Sequence, residues 1–214
     1  MIFRTQAFVG VALALGILLL RNAANVVSYA GNTRTPETAY MVDTHATEAR
    51  LRDHLKALTV IIGERSVRIP ANLKKTADYV RDFYEGIGVE ARLEPYDYYG
   101  LEVSNVVAEV RFRPNPVNRI LIGAHYDSVA GTVGADDNAS AVAVQLEIAR
   151  QVRALKGNKD LDLAVVFVSF ALEEPPAYGT QFMGSRVYAE QARRRGERID
   201  VMLCLEMVGY SCRL

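Results

Sequence analysis

Four short clusters of acidic residues, one of them with a histidine, are the part of this sequence that could do chemistry. They are His125 with Asp127, Asp136 with Asp137, Glu173 with Glu174, and Glu206. Carboxylates in such number repel one another strongly, because like charges a few Å apart force some of the groups to stay protonated. Cations relieve that repulsion. If the fold gathers these clusters, they predict a metal site.

The segments between the clusters alternate between strand-like and helix-like patterns. Ile120 to Ala124 is strand-like, Leu163 to Phe170 is an apolar run typical of a strand covered on both faces, and Val201 to Leu205 is a shorter run of that kind. Helices are predicted between them, from Ser140 to Leu155 and around Met183 to Arg195. Strand, helix, strand, helix, strand in that order predicts right-handed crossovers and a mainly parallel central sheet.

Two amphipathic helices and a hairpin are predicted ahead of this core. Leu51 to Ile62 and Leu73 to Tyr84 carry apolar residues at helical spacing. Val89 to Leu93 and Val103 to Phe112 are strand-like, and we expect them to pair as a hairpin at a sheet edge. The fold class is therefore α/β.

The clusters are expected to meet at one edge of the sheet. The carboxyl ends of parallel strands share an edge, and ligands bind in the crevice beyond it. Asp136 and Asp137 join from the loop before Ser140, a loop that Asp136 and Asn138 are expected to support by local hydrogen bonds. Imidazole with carboxylates suits zinc and its first-row neighbours, whereas an all-oxygen set favours calcium or magnesium. The excess of acids favours two ions that share a carboxylate.

The motifs that carry these residues stand in a fixed order. They are Gly123-Ala124-His125-Tyr126-Asp127-Ser128, Gly134-Ala135-Asp136-Asp137-Asn138-Ala139-Ser140, Glu173-Glu174 and Leu205-Glu206-Met207. In order and approximate spacing the chain resembles the dizinc aminopeptidases of peptidase family M28, from about residue 48 to residue 211. The resemblance implies a three-layer α/β sandwich of the zinc exopeptidase type, with a mixed, mainly parallel sheet, and hydrolysis of N-terminal residues from peptides.

The resemblance also implies a set of metal ligands. His125 would bind one zinc ion, Asp137 would bridge two ions, and Glu174 would bind the second. Glu206 stands where the family usually has an aspartate ligand to the first metal. Two zinc ions and a peptide substrate are therefore expected.

Two further residues receive catalytic roles from the resemblance. Glu173 would be the general base that takes a proton from the attacking water. Asp127 would accept the second imidazole N–H of His125 and so fix its tautomer.

The sequence departs from the family pattern in its downstream part. The family has a further histidine on the second metal, and this sequence contains none after His125. We therefore expect a C-terminally truncated member, with a sheet incomplete at that end and a partial peptidase domain over residues 48–214, that binds the second metal weakly and hydrolyses poorly. Two alternatives remain: an acyltransferase of the glutaminyl cyclase type, which uses one zinc on the same fold, and a non-catalytic binding relative.

The N-terminal segment predicts a location outside the cytoplasm. After Arg4, Ala7 to Leu20 form an apolar stretch of about 14 residues, which is short for a membrane span and normal for the apolar region of a signal peptide. We expect a signal peptide or membrane anchor at residues 1–30 and a linker at residues 31–47. The protein would then be secreted, periplasmic or anchored, with the membrane as a partner if the segment is not cleaved.

Composition excludes one class of partner. Lys+Arg and Asp+Glu both number 25, so the formal net charge is zero. No global field recruits a polyanion, and nucleic acid is not an expected partner.

Overall fold

The computed structural model describes residues 43–157 and 161–210. The predicted signal or anchor at residues 1–30 lies outside the described residues, as does most of the predicted linker. Helix α1 (Thr44–Lys56) begins inside the last residues of that linker, where the Asp43 side chain accepts a hydrogen bond from the Ala46 amide as a helix cap. In the described part of the chain, no helix combines the length and the apolar character needed to cross a membrane.

The N-terminal elements are two helices and a hairpin, as predicted. Helix α1 continues into a π-helical segment, Ala57–Ile62, and helix α2 spans Pro70–Gly86. Strands β1 (Ala91–Tyr98) and β2 (Leu101–Arg111) pair antiparallel, with β1 at the sheet edge. The sequence predicted the end of the first strand at Leu93. The strand runs on through Pro95, which an edge position tolerates because its missing N–H is not needed by a further strand.

The predicted alternation of strands and helices follows. It consists of β3 (Asn118–His125), α3 (Ala141–Ala154), β4 (Leu163–Phe170), α4 (Gly184–Arg194) and β5 (Val201–Cys204). The sheet order is β1-β2-β4-β3-β5. Strand β3 pairs parallel with both β4 and β5, whereas β2 is antiparallel to β1 and β4. The mixed α/β sheet is confirmed, and the parallel pairings join the three strands that the acidic clusters follow.

Strand β4 shows how the sheet is covered on both faces. Val165 and Phe167 point into an apolar core shared with α1, α2 and α3, whereas Val166 and Val168 point into a second core with Tyr188 of α4. Successive side chains of a strand alternate between faces, so an unbroken apolar run is what a central strand needs. The chain therefore forms three layers: helices α1, α2 and α3 on one face, the sheet, and helix α4 on the other face.

The prediction that Val201 to Leu205 is covered on both faces is wrong for most of this segment. Val201 and Met202 are 48% and 47% exposed, and only Leu205 is buried. Strand β5 pairs with β3 alone, and within the described residues no strand pairs with its other side. An apolar run cannot by itself distinguish a central strand from one at an edge.

A buried amide ties β3 to β4 close to the end where the acidic clusters follow. Gln145 of α3 donates from Nε2 to the carbonyl oxygens of Ile122 and Val168, at 2.9 and 3.0 Å. Its Oε1 accepts from the Ser169 hydroxyl at 2.6 Å. All of these groups are buried, so these three hydrogen bonds form where water cannot replace them.

We predict that Gln145→Leu lowers the free energy of unfolding by about 1–3 kcal/mol, because it removes three buried hydrogen bonds. Urea unfolding followed by circular dichroism measures the change. Gln151→Leu on the same helix is the matched control, since Nε2 of Gln151 is buried with no partner among the described residues. That control should be neutral or stabilising. Equal losses in both variants would contradict the role given to Gln145.

Candidate metal centre

The ends of three parallel strands bring the acidic clusters together. In the register of β3 against β4, His125 pairs with Phe170, so the two strands end at the same level. On the other side, the Leu205 amide donates to the Gly123 carbonyl at 2.8 Å, which carries the chain just beyond β5 alongside His125. Segments far apart in sequence thus open onto one edge, as predicted.

One group of possible ligands surrounds Nε2 of His125. This atom lies 3.1 Å from Oδ1 of Asp137 and 3.3 Å from Oε1 of Glu206. Ligand atoms placed about 2.0–2.1 Å from a tetrahedral zinc ion are separated by about 3.3–3.4 Å. The spacing of the three side chains therefore fits one shared cation.

A second group shares the same imidazole. His125, Glu173 and Glu174 each offer a ligand atom within 4.8 Å of the others. Oε2 of Glu173 is 3.8 Å from His125 Nε2. The structure thus gathers every residue that the sequence proposed as a metal ligand or general base. Their individual roles stay predictions.

Asp127 holds residues of both groups in place through hydrogen bonds. Its carboxylate accepts hydrogen bonds from the backbone amides of Glu173 and Glu174, all at 3.0 Å, and lies 3.0 Å from Nδ1 of His125. In the neutral imidazole, with the Nδ1 proton donated to Asp127, the lone pair of Nε2 would face the acids and be free for a metal ion. One buried carboxylate therefore orients the imidazole and the glutamate pair at once.

The turn that carries Asp137 also holds the exit of β5. Asn138 donates from Nδ2 to the Leu205 carbonyl at 3.1 Å and to Oε2 of Glu206 at 3.3 Å, and accepts from the Met207 amide at 3.1 Å. The sequence predicted only local bonds for Asp136 and Asn138. Local bonds from the Ser140 hydroxyl to Asp136 do exist, but the amide of Gly209 also donates to Asp136, at 2.8 Å. These residues connect two parts of the centre.

Sequence reasoning missed the residue that closes the loop bearing Glu173 and Glu174. Asn105 of β2 donates to the Gly184 carbonyl at 2.9 Å and accepts from the Ala171 amide at 3.0 Å, so it joins the two ends of that loop. A Cβ on Gly184 would lie 2.5 Å from Oδ1 of Asn105, which explains the glycine. The signal available in the sequence was Asn105 itself, a polar residue within an apolar strand.

Without metal, burial and mutual repulsion favour the neutral forms of the acids. Burial raises the pKa of Glu174 to about 7, and the charge of Asp137 adds to the shift. Burial also raises the pKa of Asp137 and of Glu173. Burial alone would lower the pKa of His125, but hydrogen bonds to Asp127 and Glu206 outweigh it and raise the value to about 10. In the metal-free chain the imidazolium is therefore the cation that the acids share.

The residues present fit a divalent cation in place of that proton. Oε1 of Glu174 is buried and has no hydrogen-bond partner among the described residues. A buried carboxylate oxygen without a partner is costly unless a ligand uses it. Imidazole with carboxylates is a donor set that suits zinc.

Comparison with known proteins places the chain in a family. The profile of Peptidase family M28 matches residues 105–213, which contain every residue of the centre. The chain belongs to peptidase family M28. The resemblance seen in its motifs is thereby confirmed.

Two curated relatives extend this comparison. The uncharacterized protein YfbL of Escherichia coli is 33% identical over 174 residues, 78% of this chain and 51% of YfbL. Aminopeptidase YwaD of Bacillus subtilis is 33% identical over 93 residues, 43% of this chain and 18% of YwaD. The chain thus spans about half the length of the first of these relatives and less of the second.

Solved structures support the fold. A zinc aminopeptidase from Bacillus subtilis superposes with a TM-score of 0.61 at 13% identity, covering 74% of this chain and 68% of that one. A glutaminyl cyclase from Porphyromonas gingivalis superposes with a TM-score of 0.58 at 23% identity, covering 76% and 58%. At such identities the likeness shows the zinc exopeptidase fold, and it does not choose between the two chemistries.

The raised acid pKa values predict how stability depends on pH. The ordinary pKa of Glu174 is 4.5 and its folded value is about 7, so its contribution is fully present below pH 4.5 and is lost as pH rises through 7. The chain stripped of metal with a chelator should be less stable at pH 7.5 than at pH 5. Glu174→Gln should reduce this loss, whereas Glu190→Gln on the exposed face of α4 should not. Urea unfolding at both pH values measures it, and an unchanged pH dependence in Glu174→Gln would contradict the argument.

Proposed function

We propose that this M28 chain is the metal-binding part of a zinc-dependent aminopeptidase. The observation that carries the proposal is the grouping of His125 with Asp137 and Glu206 on one side and with Glu173 and Glu174 on the other. The aminopeptidase identity of a 33% identical relative adds support. Hydrolysis of N-terminal residues, and the peptide as substrate, are part of the proposal.

The ligand assignment follows the donor atoms. Nε2 of His125, Oδ1 of Asp137 and Oε1 of Glu206 would hold the first zinc ion. Asp137 would also reach a second ion, with the unpartnered Oε1 of Glu174 as its buried ligand. When bound, zinc polarises the scissile carbonyl and lowers the pKa of water at the site.

Glu173 is the residue proposed to move the proton. Its backbone is fixed by the bond from its amide to Asp127, while its carboxyl group is partly exposed toward the crevice. Burial raises its pKa above the ordinary value of 4.5, the direction that favours a group acting as a proton acceptor. One of its oxygens takes a proton from the attacking water and returns it to the nitrogen of the leaving amine.

The longer side chain at position 206 is compatible with this arrangement. Glu206 replaces the aspartate that the motif comparison expected, and its extra methylene lengthens the arm. Asn138 holds Oε2 of Glu206 at 3.3 Å, which leaves Oε1 directed at His125. The adjacent turn therefore controls the added freedom of the glutamate.

We predict that Glu173→Gln slows release of N-terminal residues by about 10²–10⁴-fold, because the amide cannot accept the proton. Zinc-loaded protein is assayed against a panel of amino-acid chromogenic amides and unblocked peptides. Zinc affinity should stay within about twofold of the wild type, which separates loss of the base from loss of metal.

Three outcomes of this assay would contradict the proposal. Equal rates in Glu173→Gln and wild type would remove Glu173 from the chemistry. Conversion of N-terminal glutamine to pyroglutamate, without release of any residue, would assign the chain to the glutaminyl cyclase type. Absence of both reactions in zinc-loaded protein would favour the non-catalytic relative.

Zinc titration should reveal two unequal sites. The chain has three histidines, and among the described residues only His125 faces the centre. Its single Nε2 lone pair would serve the first ion, so the second ion has carboxylates alone. We predict one tight site and a second at least about tenfold weaker, because carboxylates alone bind zinc less well than sets with imidazole.

Calorimetric titration with zinc chloride tests this prediction. His125→Ala should abolish tight binding, and Glu174→Gln should remove only the weak step. His45→Ala, which replaces an exposed histidine on α1, is the matched control and should bind as the wild type does. Tight binding that survives His125→Ala would contradict the proposed site.

A further inference from the structure

A fully buried arginine lies beneath the metal centre and has no part in the roles assigned above. Arg65, between the π-helical segment and α2, has 0% exposure. Its guanidinium donates five hydrogen bonds of 2.7–3.1 Å, and all five acceptors are backbone carbonyls: Leu58, Gly63, Tyr126, Val133 and Gly134. Three of these acceptors share the two N–H groups of Nη1. A buried arginine bonded in this way to main-chain oxygens fixes the course of the backbone that supplies them.

Three of the five acceptors belong to the two segments that carry metal ligands. Tyr126 lies between His125 and Asp127, and its carbonyl accepts from Nε at 2.7 Å. Val133 and Gly134 directly precede the turn of Asp137 and accept at 2.8 and 3.0 Å. One side chain therefore spans the backbone of both ligands.

The other two acceptors anchor this span to the first helix. The carbonyls of Leu58 and Gly63 accept from Nη1 at 3.1 and 3.0 Å. The main chain of Arg65 adds a reciprocal pair, since its amide donates to the Ser128 hydroxyl and its carbonyl accepts from the Ser128 amide. The loop after β3 is thus held to the helical layer and not only to the sheet.

Packing leaves little room for this loop to adjust. Gly134 has a φ of +48°, and a Cβ there would lie 2.3 Å from the Asp137 carbonyl oxygen and 3.0 Å from Nη2 of Arg65. The guanidinium and the main chain of Asp137 therefore both lie close to Gly134. A shift of the guanidinium would disturb the Gly134 carbonyl that it binds, three residues before Asp137.

The charge of Arg65 acts on the same place. Burial lowers the pKa of Arg65 to about 10, so it stays protonated at neutral pH, and the carboxylates of Asp127 and Asp137 favour the charged form. The guanidinium is held by its five bonds to carbonyls, so it is a fixed positive charge close to these acids. It offsets part of their repulsion without occupying the position of the cation.

We infer that Arg65 is a positioning residue for the metal centre, which sets the separation of His125 and Asp137 and so the zinc affinity of their shared site. The inference rests on the zinc site of the proposed function. It goes beyond a purely structural role, in which loss of Arg65 would lower stability and leave the affinity of the folded protein unchanged.

Arg65→Lys tests the inference in the 214-residue chain. Lysine keeps the charge but offers three donors from one atom, so it cannot span the five carbonyls. We expect the tight zinc dissociation constant, measured by competition with a chromogenic chelator well below the unfolding temperature, to rise at least about tenfold. Val110→Ala, a buried substitution on β2 away from the acidic edge, is the control for lost stability and should keep affinity within about twofold.

Ser128→Ala is the second variant, which keeps the inference testable if Arg65→Lys does not fold. It removes the hydroxyl that accepts from the Arg65 amide and donates to the Thr132 carbonyl. We expect a rise in the zinc dissociation constant of about threefold to tenfold. Wild-type affinity in folded Arg65→Lys, or in Ser128→Ala if the lysine variant is unfolded, would overturn the inference. Failure of the wild type itself to bind zinc would instead overturn the proposed function.

Discussion

Repulsion among carboxyl groups around a single imidazole is the constraint on which the rest of this structure depends. Asp137, Glu173, Glu174 and Glu206 face His125 within a few Å of one another at one edge of the sheet. Burial and the nearby charge of Asp137 raise the pKa of Glu174 to about 7, so in the absence of metal a bound proton reduces the charge of this group. A cation can take the place of bound protons, so metal binding competes with protonation of the acids.

Holding such a group together requires support from outside it. Asp127 fixes the imidazole and the glutamate pair through hydrogen bonds, and Asn138 holds the exit of β5 against the turn of Asp137. Asn105 closes the loop after β4. Each support is a buried polar side chain bonded to main-chain groups. Their geometry is therefore set by the backbone.

Membership of family M28 and the zinc exopeptidase fold give these contacts a chemical context, and they leave the choice of reaction to the site. The solved structures with this fold include both a zinc aminopeptidase and a glutaminyl cyclase. The two chemistries differ in how many ions are used and in which group attacks the carbonyl. The second acidic group, with Glu174 as its buried member, is the part of this chain that bears on that difference.

The sequence by itself determined the strand and helix alternation, the mixed α/β sheet and the residues that face the candidate metal centre. It could do so because apolar periodicity reports burial, and because residues that follow parallel strands must share an edge. Only the tertiary structure decided that β5 is exposed, that Asn105 and Asn138 bond across long sequence separations, and that Arg65 lies buried beneath the ligands. Single polar residues carry no periodic signal. Their roles depend on carbonyls and amides that come near them only when distant segments have packed together.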